Sequence, residues 1–147
     1  AYIGLPTTFD DDHYRYSATS IENSTVCLIR KEAFMSFLNE NGKFATEIIL
    51  ELCHDELTIF TKCINKSQKN VRGRVAEALL FFKSEIYNKN VYKIPLTRSE
   101  FGEYIDTTRE NISRNLTELH EEKIICVDGK NIEILDENKL IKISETG

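Results

Sequence analysis

Apolar positions along this chain change their spacing, from a weak two-residue alternation to helical spacing and, near the end, back to alternation. Residues 1–30 carry strand formers in short groups: Tyr2 and Ile3, then Tyr14 and Tyr16, then Val26, Leu28 and Ile29. These groups predict short strands, with the FDDDH stretch (Phe9 to His13) as a turn or loop between them. So few strands cannot bury a core alone, which fits the tail end of a larger β domain. Arg30 to Asn39 predicts a short helix with Phe34, Phe37 and Leu38 as its apolar contacts, and Asn41-Gly42 breaks the chain after it.

From Lys43 to about Lys66 the pattern predicts a long helix with two apolar stripes. Leu50, Cys53, Leu57, Phe60 and Ile64 follow the 3-4-3-4 spacing of a coiled-coil seam. Ala45, Ile49, Leu52, Ile59 and Cys63 make the other stripe. Two apolar faces need two partners. One is assigned to the chain's own β domain and the other to the same helix of a second subunit. A helix fully buried within one large domain is the alternative, and it is disfavoured because so little other core is available.

Asn70 is the expected cap of the next helix, VRGRVAEALLFFKSEIY, with Val75, Leu79 and Phe82, and also Ala78 and Leu80, available for burial. Residues 88–94 predict a loop and a short strand. Thr97 and Glu100 then form a capping box for a helix with Phe101 and Ile105 on one face. Thr107 or Thr108 opens a longer helix in which Ile112, Leu116 and Leu119 share a stripe. At about 100° per residue, Glu110, Ser113, Arg114 and Thr117 fall on its opposite, solvated face. Gly102 sits where two crossing helices need a small residue. The pair is a helix-turn-helix, whose outward face suits base edges in a major groove. IICV and NIEIL flank Asp128-Gly129-Lys130, a hairpin signal, and Asp136 caps a short closing helix. Helix-turn-helix followed by hairpin is a winged helix.

Composition changes this picture in two places. The net charge of −5 argues mildly against nucleic-acid binding, which draws most of its non-specific affinity from neutralising phosphates. Asp10, Asp11 and Asp12 lie far from the helix-turn-helix in sequence, however, while Lys66, Lys69, Arg72 and Arg74 make a basic cluster just upstream of it. The chain begins at Ala1 without an initiator Met, inside an expected strand, which suggests a piece of a longer protein. No apolar run approaches a membrane span. The four cysteines (Cys27, Cys53, Cys63, Cys126) have no CxxC spacing and read as free cytosolic thiols, and the three histidines are scattered, so no metal site is expected. No glycine-rich phosphate loop, GxSxG or HExxH is present, and Glu121-Glu122 read as a solvated helix face; nothing supports an enzyme or a catalytic residue.

With these elements in order, the sequence resembles the CRP/FNR family of bacterial transcription regulators. VRGRVAEALLFF resembles the family's first DNA-domain helix, IPLTRSEFGEYI its first helix-turn-helix helix, TTRENISRNLTEL its recognition helix and EEKIICVDGKNIEILD its wing. SATSIENSTVCLI resembles the last strands of the cyclic-nucleotide-binding β-roll, and the long helix resembles the dimer helix. The resemblance covers almost the whole chain. It implies base reading by Arg109, Glu110, Ser113 and Arg114, and phosphate contacts from Thr97, Arg98 and Thr108, with Lys130 of the wing also in reach of phosphate. Arginine can donate twice to guanine, and glutamate can accept from cytosine. Each role has a plainer reading: Glu110 as a first-turn acid favoured by the helix dipole, and Arg114 as its surface partner four residues on. Two positions depart from the family pattern: Asp106 stands where glycine is usual, and Asn115 where an apolar residue is.

The sensor part departs further. Gly4 is followed by Leu5-Pro6 where cAMP-binding members have Gly-Glu, and Tyr16-Ser17 stands for their Arg-Ser. Ile59 and Phe60 stand where those members place hydroxyls against adenine. The resemblance therefore implies an effector other than cAMP bound by the usual contacts, and the segment lacks the N-terminal cysteine cluster of iron–sulfur relatives.

The expected architecture is α+β: the end of an effector β-roll in residues 1–40, a dimerisation helix in 41–68 and a winged helix-turn-helix in 69–147. Its implied partners are an inverted-repeat duplex, a second copy of the chain and RNA polymerase, with a cytoplasmic location and no membrane. The rival from another class is a winged helix that binds protein and no longer binds DNA; the acidic charge favours it, and the outward Arg109, Glu110, Ser113 and Arg114 set opposes it.

Overall fold

The computed structural model describes residues 2–10, 13, 14, 16–20 and 22–147, the side chains of Asp10 and Lys66 excepted. The chain forms two compact units, residues 1–61 and 62–147.

The first unit is helical among its described residues: α1 Leu5–Asp10, α2 Lys31–Glu40 and the start of the long α3, Gly42–Gln68. This corrects the expected strands at Tyr2 and Ile3, at Tyr14 and Tyr16, and at Val26, Leu28 and Ile29. No described residue there is paired in a sheet, and Leu28 is 94% exposed. Strand preference is largely packing against cross-strand neighbours, and the described residues supply none to this stretch. The expected FDDDH turn begins inside α1 at Phe9, and Asp11 and Asp12 lie outside the described residues. Pro6 sits in the first turn of α1, where its missing N–H costs no hydrogen bond. A small core joins Leu5, Phe34 and Ile48, flanked by Met35, Leu38, Phe44 and Leu52. Edge-on rings tie α2 to α3, with Phe34 and Phe37 at 5.8 Å and 4.8 Å from Phe44. Phe37 otherwise stays exposed. Asn41 Oδ1 accepts from Phe44 N at 3.0 Å and so caps α3.

The inner face of α3 differs from the expected second stripe. Phe44, Ile48 and Leu52, spaced four apart, pack in this core, whereas Ile49 and Ile59 are exposed. Four-residue spacing drifts slowly around a helix, and so keeps one face inward over the short length that α2 covers.

The second unit begins with the last turns of α3. Next comes α4 Val71–Phe81, where Asn70 Oδ1 accepts from Gly73 N, and a π-helical turn, Phe82–Tyr87, ends it. The sequence pattern gave no sign of that turn; Asn88 closes it with φ 49°, a left-handed value that asparagine tolerates. Strand β1 Val91–Lys93 follows, then α5 Arg98–Ile105 and α6 Arg109–Glu121. Strands β2 Ile125–Asp128 and β3 Asn131–Ile134 complete an antiparallel sheet in the order β1-β3-β2, and α7 Glu137–Thr146 follows. Asp128 pairs with Asn131, so the two turn residues are Gly129 and Lys130, one position later than an Asp-Gly turn. Positive φ at Gly129 (59°) and not at Lys130 is the II′ pattern, which takes glycine first.

One continuous core joins α4 to the helix-turn-helix, the sheet and α7 through Val75, Leu79, Phe101, Ile112, Leu116, Leu119, Ile132 and Leu140, among others. The buried Tyr92 hydroxyl donates to Leu79 O at 2.7 Å, and burial pushes its pKa up. Asn115, which stands where the family usually has an apolar residue, is buried, and its Nδ2 donates to Asn111 O at 2.8 Å.

Gly102 is the contact on which the helix-turn-helix angle rests. A Cβ there would lie 2.7 Å from Thr107 O and 3.2 Å from Thr108 C. Helix propensity alone would favour alanine by about 1 kcal/mol. The opposing atoms are backbone, held in part by Thr107 N donating to Gly102 O at 2.8 Å, and cannot swing away. Gly102→Ala should therefore lower stability by about 1–3 kcal/mol in urea denaturation. A variant as stable as the parent would mean that the two helices cross less closely.

Candidate nucleic-acid interface

Both helices of the pair start at well-built caps. Thr97 Oγ1 accepts from Glu100 N at 3.2 Å, and Glu100 Oε2 accepts from Thr97 N at 2.6 Å, so the expected capping box is present. Those hydrogen bonds to Thr97 hold the exposed Glu100 carboxyl below its ordinary pKa. Asp106 ends α5 with φ 59°, doing with a short polar side chain what glycine does without one. Of the two threonines considered for the second cap, Thr108 is the one: its hydroxyl accepts from Asn111 N at 3.3 Å. Thr107 Oγ1 instead accepts from Asn111 Nδ2 at 3.0 Å.

Helix α6 divides as its periodicity predicts. Ile112, Asn115, Leu116 and Leu119 are buried, while Arg109, Glu110, Ser113, Arg114 and Thr117 are exposed on the opposite side. Ser113 Oγ donates to Arg109 O at 3.1 Å, and Thr117 Oγ1 to Ser113 O at 3.0 Å. Backbone hydrogen bonding in its own first turn, then the Thr108 hydroxyl, hold the Glu110 carboxyl below the usual range. Glu110 is therefore an ionised acceptor at neutral pH. Arg114 does not pair with Glu110; its Nη2 donates to Asn111 Oδ1 at 3.0 Å and its Nε lies 4.0 Å from Glu118. Both carboxylates are four residues from Arg114, and the C-terminal one is taken.

Of the upstream basic cluster, Arg72 and Lys69 are engaged in ion pairs, and the Lys66 side chain lies outside the described residues. Arg72 Nη2 donates to both carboxylate oxygens of Glu122, at 2.8 and 2.6 Å, and Nη1 lies 3.7 Å from Glu118. The Glu122 hydrogen bond raises the Arg72 pKa and lowers that of Glu122. Lys69 pairs with Glu77 at 3.2 Å, and Arg74 Nε is buried without a hydrogen bond. Two of the cations expected to offset the acidic charge, Lys69 and Arg72, thus tie α4 to its surroundings.

The wing is fastened at three points that sequence reasoning missed. Arg98 Nη2 donates to Gly129 O at 2.7 Å, and Lys130 Nζ donates to Pro95 O at 3.1 Å. Val127 N donates to His120 Nδ1 at 3.1 Å, joining α6 to β2. These contacts span 31, 35 and 7 residues, and no local pattern announces such pairs. Of the four residues expected near phosphate, Thr97 and Arg98 at the start of α5 adjoin Lys130 at the wing tip, and Thr108 stands separately at the start of α6.

Along α3 the expected seam lies open in the single chain. Leu50, Cys53, Leu57 and Phe60 are exposed, Leu57 by 66%, and Ile64 also keeps exposed surface. No described helix is long and apolar enough to cross a membrane.

Comparison with known proteins agrees with this geometry. Residues 73–143 match the Crp-like helix-turn-helix domain. The chain is 26% identical over 147 residues to the fumarate and nitrate reduction regulatory protein of Vibrio cholerae serotype O1, covering 97% of this chain and 58% of that protein. It is 28% identical to the anaerobic regulatory protein of Pasteurella multocida, over 98% of this chain and 54% of the relative. The chain thus spans little more than half the length of these relatives. Among solved structures it shares its fold with FixK2 from Bradyrhizobium japonicum, with a TM-score of 0.74 at 19% identity, over 78% of this chain and 59% of that one. A helix-turn-helix with a three-stranded wing follows a long helix, so residues 73–143 form a Crp-like helix-turn-helix domain in a chain that is similar along nearly its whole length to the fumarate and nitrate reduction regulatory protein.

Proposed function

We propose that the chain binds double-stranded DNA at an inverted repeat as a homodimer and regulates transcription from it, with RNA polymerase as the downstream partner and the bacterial cytoplasm as the place of action. The observation that carries this reading is the exposed face of α6. It sets Arg109, Glu110, Ser113 and Arg114 side by side at the start of a helix whose other face is fixed in the core. Arg109 and Arg114 offer donors to guanine, the ionised Glu110 an acceptor to cytosine, and Ser113 a short contact to a base or a thymine methyl. Thr97 and Arg98 at the start of α5, Thr108 at the start of α6 and Lys130 at the wing tip hold phosphates in this reading. Two such faces related by a two-fold axis through an α3 seam read two half-sites one helical turn apart.

The test is a binding titration on an inverted-repeat duplex selected from a random pool, at two or more salt concentrations. Neutralised phosphates give a straight fall of log K against log salt, with a slope of about −0.9 for each. A selection that enriches no repeat, with no salt-dependent binding, would favour the rival winged helix that contacts protein, to which the charge of −5 lends weight.

The effector reading follows from residues 2–60. Tyr16, standing where an arginine would meet a cyclic-nucleotide phosphate, accepts through its hydroxyl from Gly4 N at 2.9 Å. That closes the Gly4 amide as well as removing the cation. Millimolar cAMP should leave the melting temperature unchanged, whereas a ligand at about 100 times its Kd adds about 2.7 kcal/mol. A clear rise with cAMP would return it to candidacy.

A further inference from the structure

The wing tip and the start of α5 are held together from both sides. Arg98 reaches from α5 to the carbonyl of Gly129, and Lys130 reaches back to the carbonyl of Pro95. Between them Ile94 N donates to Lys130 O at 2.9 Å, and Lys93 pairs with Asn131. The turn is only two residues long, so these bonds engage the carbonyls of both its residues as well as the one side chain it has. Arg98 is partly buried at this joint, and the lost hydration lowers its pKa, although its guanidinium stays charged. A guanidinium carries five donors in a rigid fork, so one nitrogen can hold the turn while the others face outward.

We propose that Arg98 is a positioning residue for the wing: its hydrogen bond to Gly129 fixes the wing tip relative to the start of α5, and so sets the distance between the two places at which the protein grips the DNA backbone. The role rests on the DNA-binding reading and adds to it. There Arg98 is one phosphate contact among four; here it also decides where Lys130 stands. The bond is charge-assisted and directed at a carbonyl, so charge alone does not replace it. Lysine keeps the charge but is shorter and has no fork, which separates the two roles of this side chain.

The experiment compares the parent chain with Arg98→Lys and Arg98→Gln, first without DNA. The reporter is amide hydrogen exchange at Ile94, whose acceptor is the wing turn itself, with Leu140, bonded to Asp136 O in the distant α7, as control. Both variants should speed exchange at Ile94 about five- to tenfold and leave Leu140 unchanged, since one net hydrogen bond is removed from a local opening. With the selected duplex, Arg98→Lys should weaken binding without altering the salt slope. Arg98→Gln should weaken it and reduce the slope by about one unit. Unchanged exchange at Ile94 in both variants overturns the proposal, leaving Arg98 a phosphate ligand only. Accelerated exchange at Leu140 as well would mean general destabilisation and also overturns it. Arg98→Lys binding DNA as tightly as the parent overturns it too, because charge would then suffice. The exchange arm needs no DNA, so a chain that binds no duplex would sink the DNA-binding reading visibly and separately.

Discussion

Replacing Leu57 with glutamate should leave the chain monomeric at concentrations where the parent is a dimer. Leu57 is at the middle of the proposed seam, between Cys53 and Phe60, and is two-thirds exposed when the chain is alone. Within a two-fold helix pair the substitution places two carboxylates near the axis in an apolar strip. Burying an uncompensated charge of this kind costs on the order of 3–5 kcal/mol, a hundredfold or more in the dissociation constant. Loss of the dimer then removes the second half-site contact, and with it an avidity gain of about 10²–10⁴. The isolated chain should still fold, because its inner face on α3 is Phe44, Ile48 and Leu52, on other positions of the helix. Sedimentation velocity on the parent and Leu57→Glu, with a thermal melt of each, is the measurement. A variant that sediments as the parent does would place the subunit contact elsewhere.

What the sequence disclosed well was what a single segment decides for itself. The Thr97–Glu100 capping box, the Asn70 and Asp136 caps and the Ile112, Leu116 and Leu119 stripe each depend on residues three or four apart, and each is present. The need for a small residue at Gly102 was legible for the same reason, and the structure shows the close neighbour to be Thr107 O. Where pairing partners lie outside the segment, the reading failed or was silent. Val26, Leu28 and Ile29 have strand-forming side chains, yet a strand exists only against another strand, and none of the described residues pairs with them. The π-helical turn at Phe82–Tyr87 is a tertiary matter: it lets Phe82 meet both Phe101 at 6.1 Å and Tyr104 at 5.8 Å. Arg72 and Lys69 were read as part of one basic cluster, and Arg98 as a phosphate contact. Their partners Glu122, Glu77 and Gly129 lie 50, 8 and 31 residues away, so charge in the sequence could not be equated with charge available to a ligand. The face proposed to read bases was legible as a face, because four exposed positions on one helix follow from its period. Whether and which base each would touch is a separate question, and a substitution can answer it.

Glu110→Ala and Lys130→Ala should fail in different ways. Glu110 stands in the first turn of α6, exposed and ionised, with its carboxylate drawn toward the helix start by its own backbone and Thr108. A carboxylate can discriminate among bases only by accepting from an exocyclic amine, which cytosine presents in the major groove. Removing it should cost about 1–3 kcal/mol on the preferred sequence and little on a duplex altered at the one base pair it reads. Removing a negative charge also lessens repulsion from phosphates, so binding to unrelated DNA should hold steady or tighten slightly. Lys130 sits at the wing tip, where its Nζ donates to Pro95 O; in the proposed complex it would reach only phosphate. Lys130→Ala should weaken every duplex by a similar factor and flatten the salt slope by about one unit. Titrations of both variants on the selected repeat and on single-base changes of it, at two salt concentrations, separate these patterns. If Glu110→Ala lowers affinity for all duplexes by one common factor, Glu110 is no base reader. The exposed face of α6 would then have to be withdrawn as the surface that reads sequence.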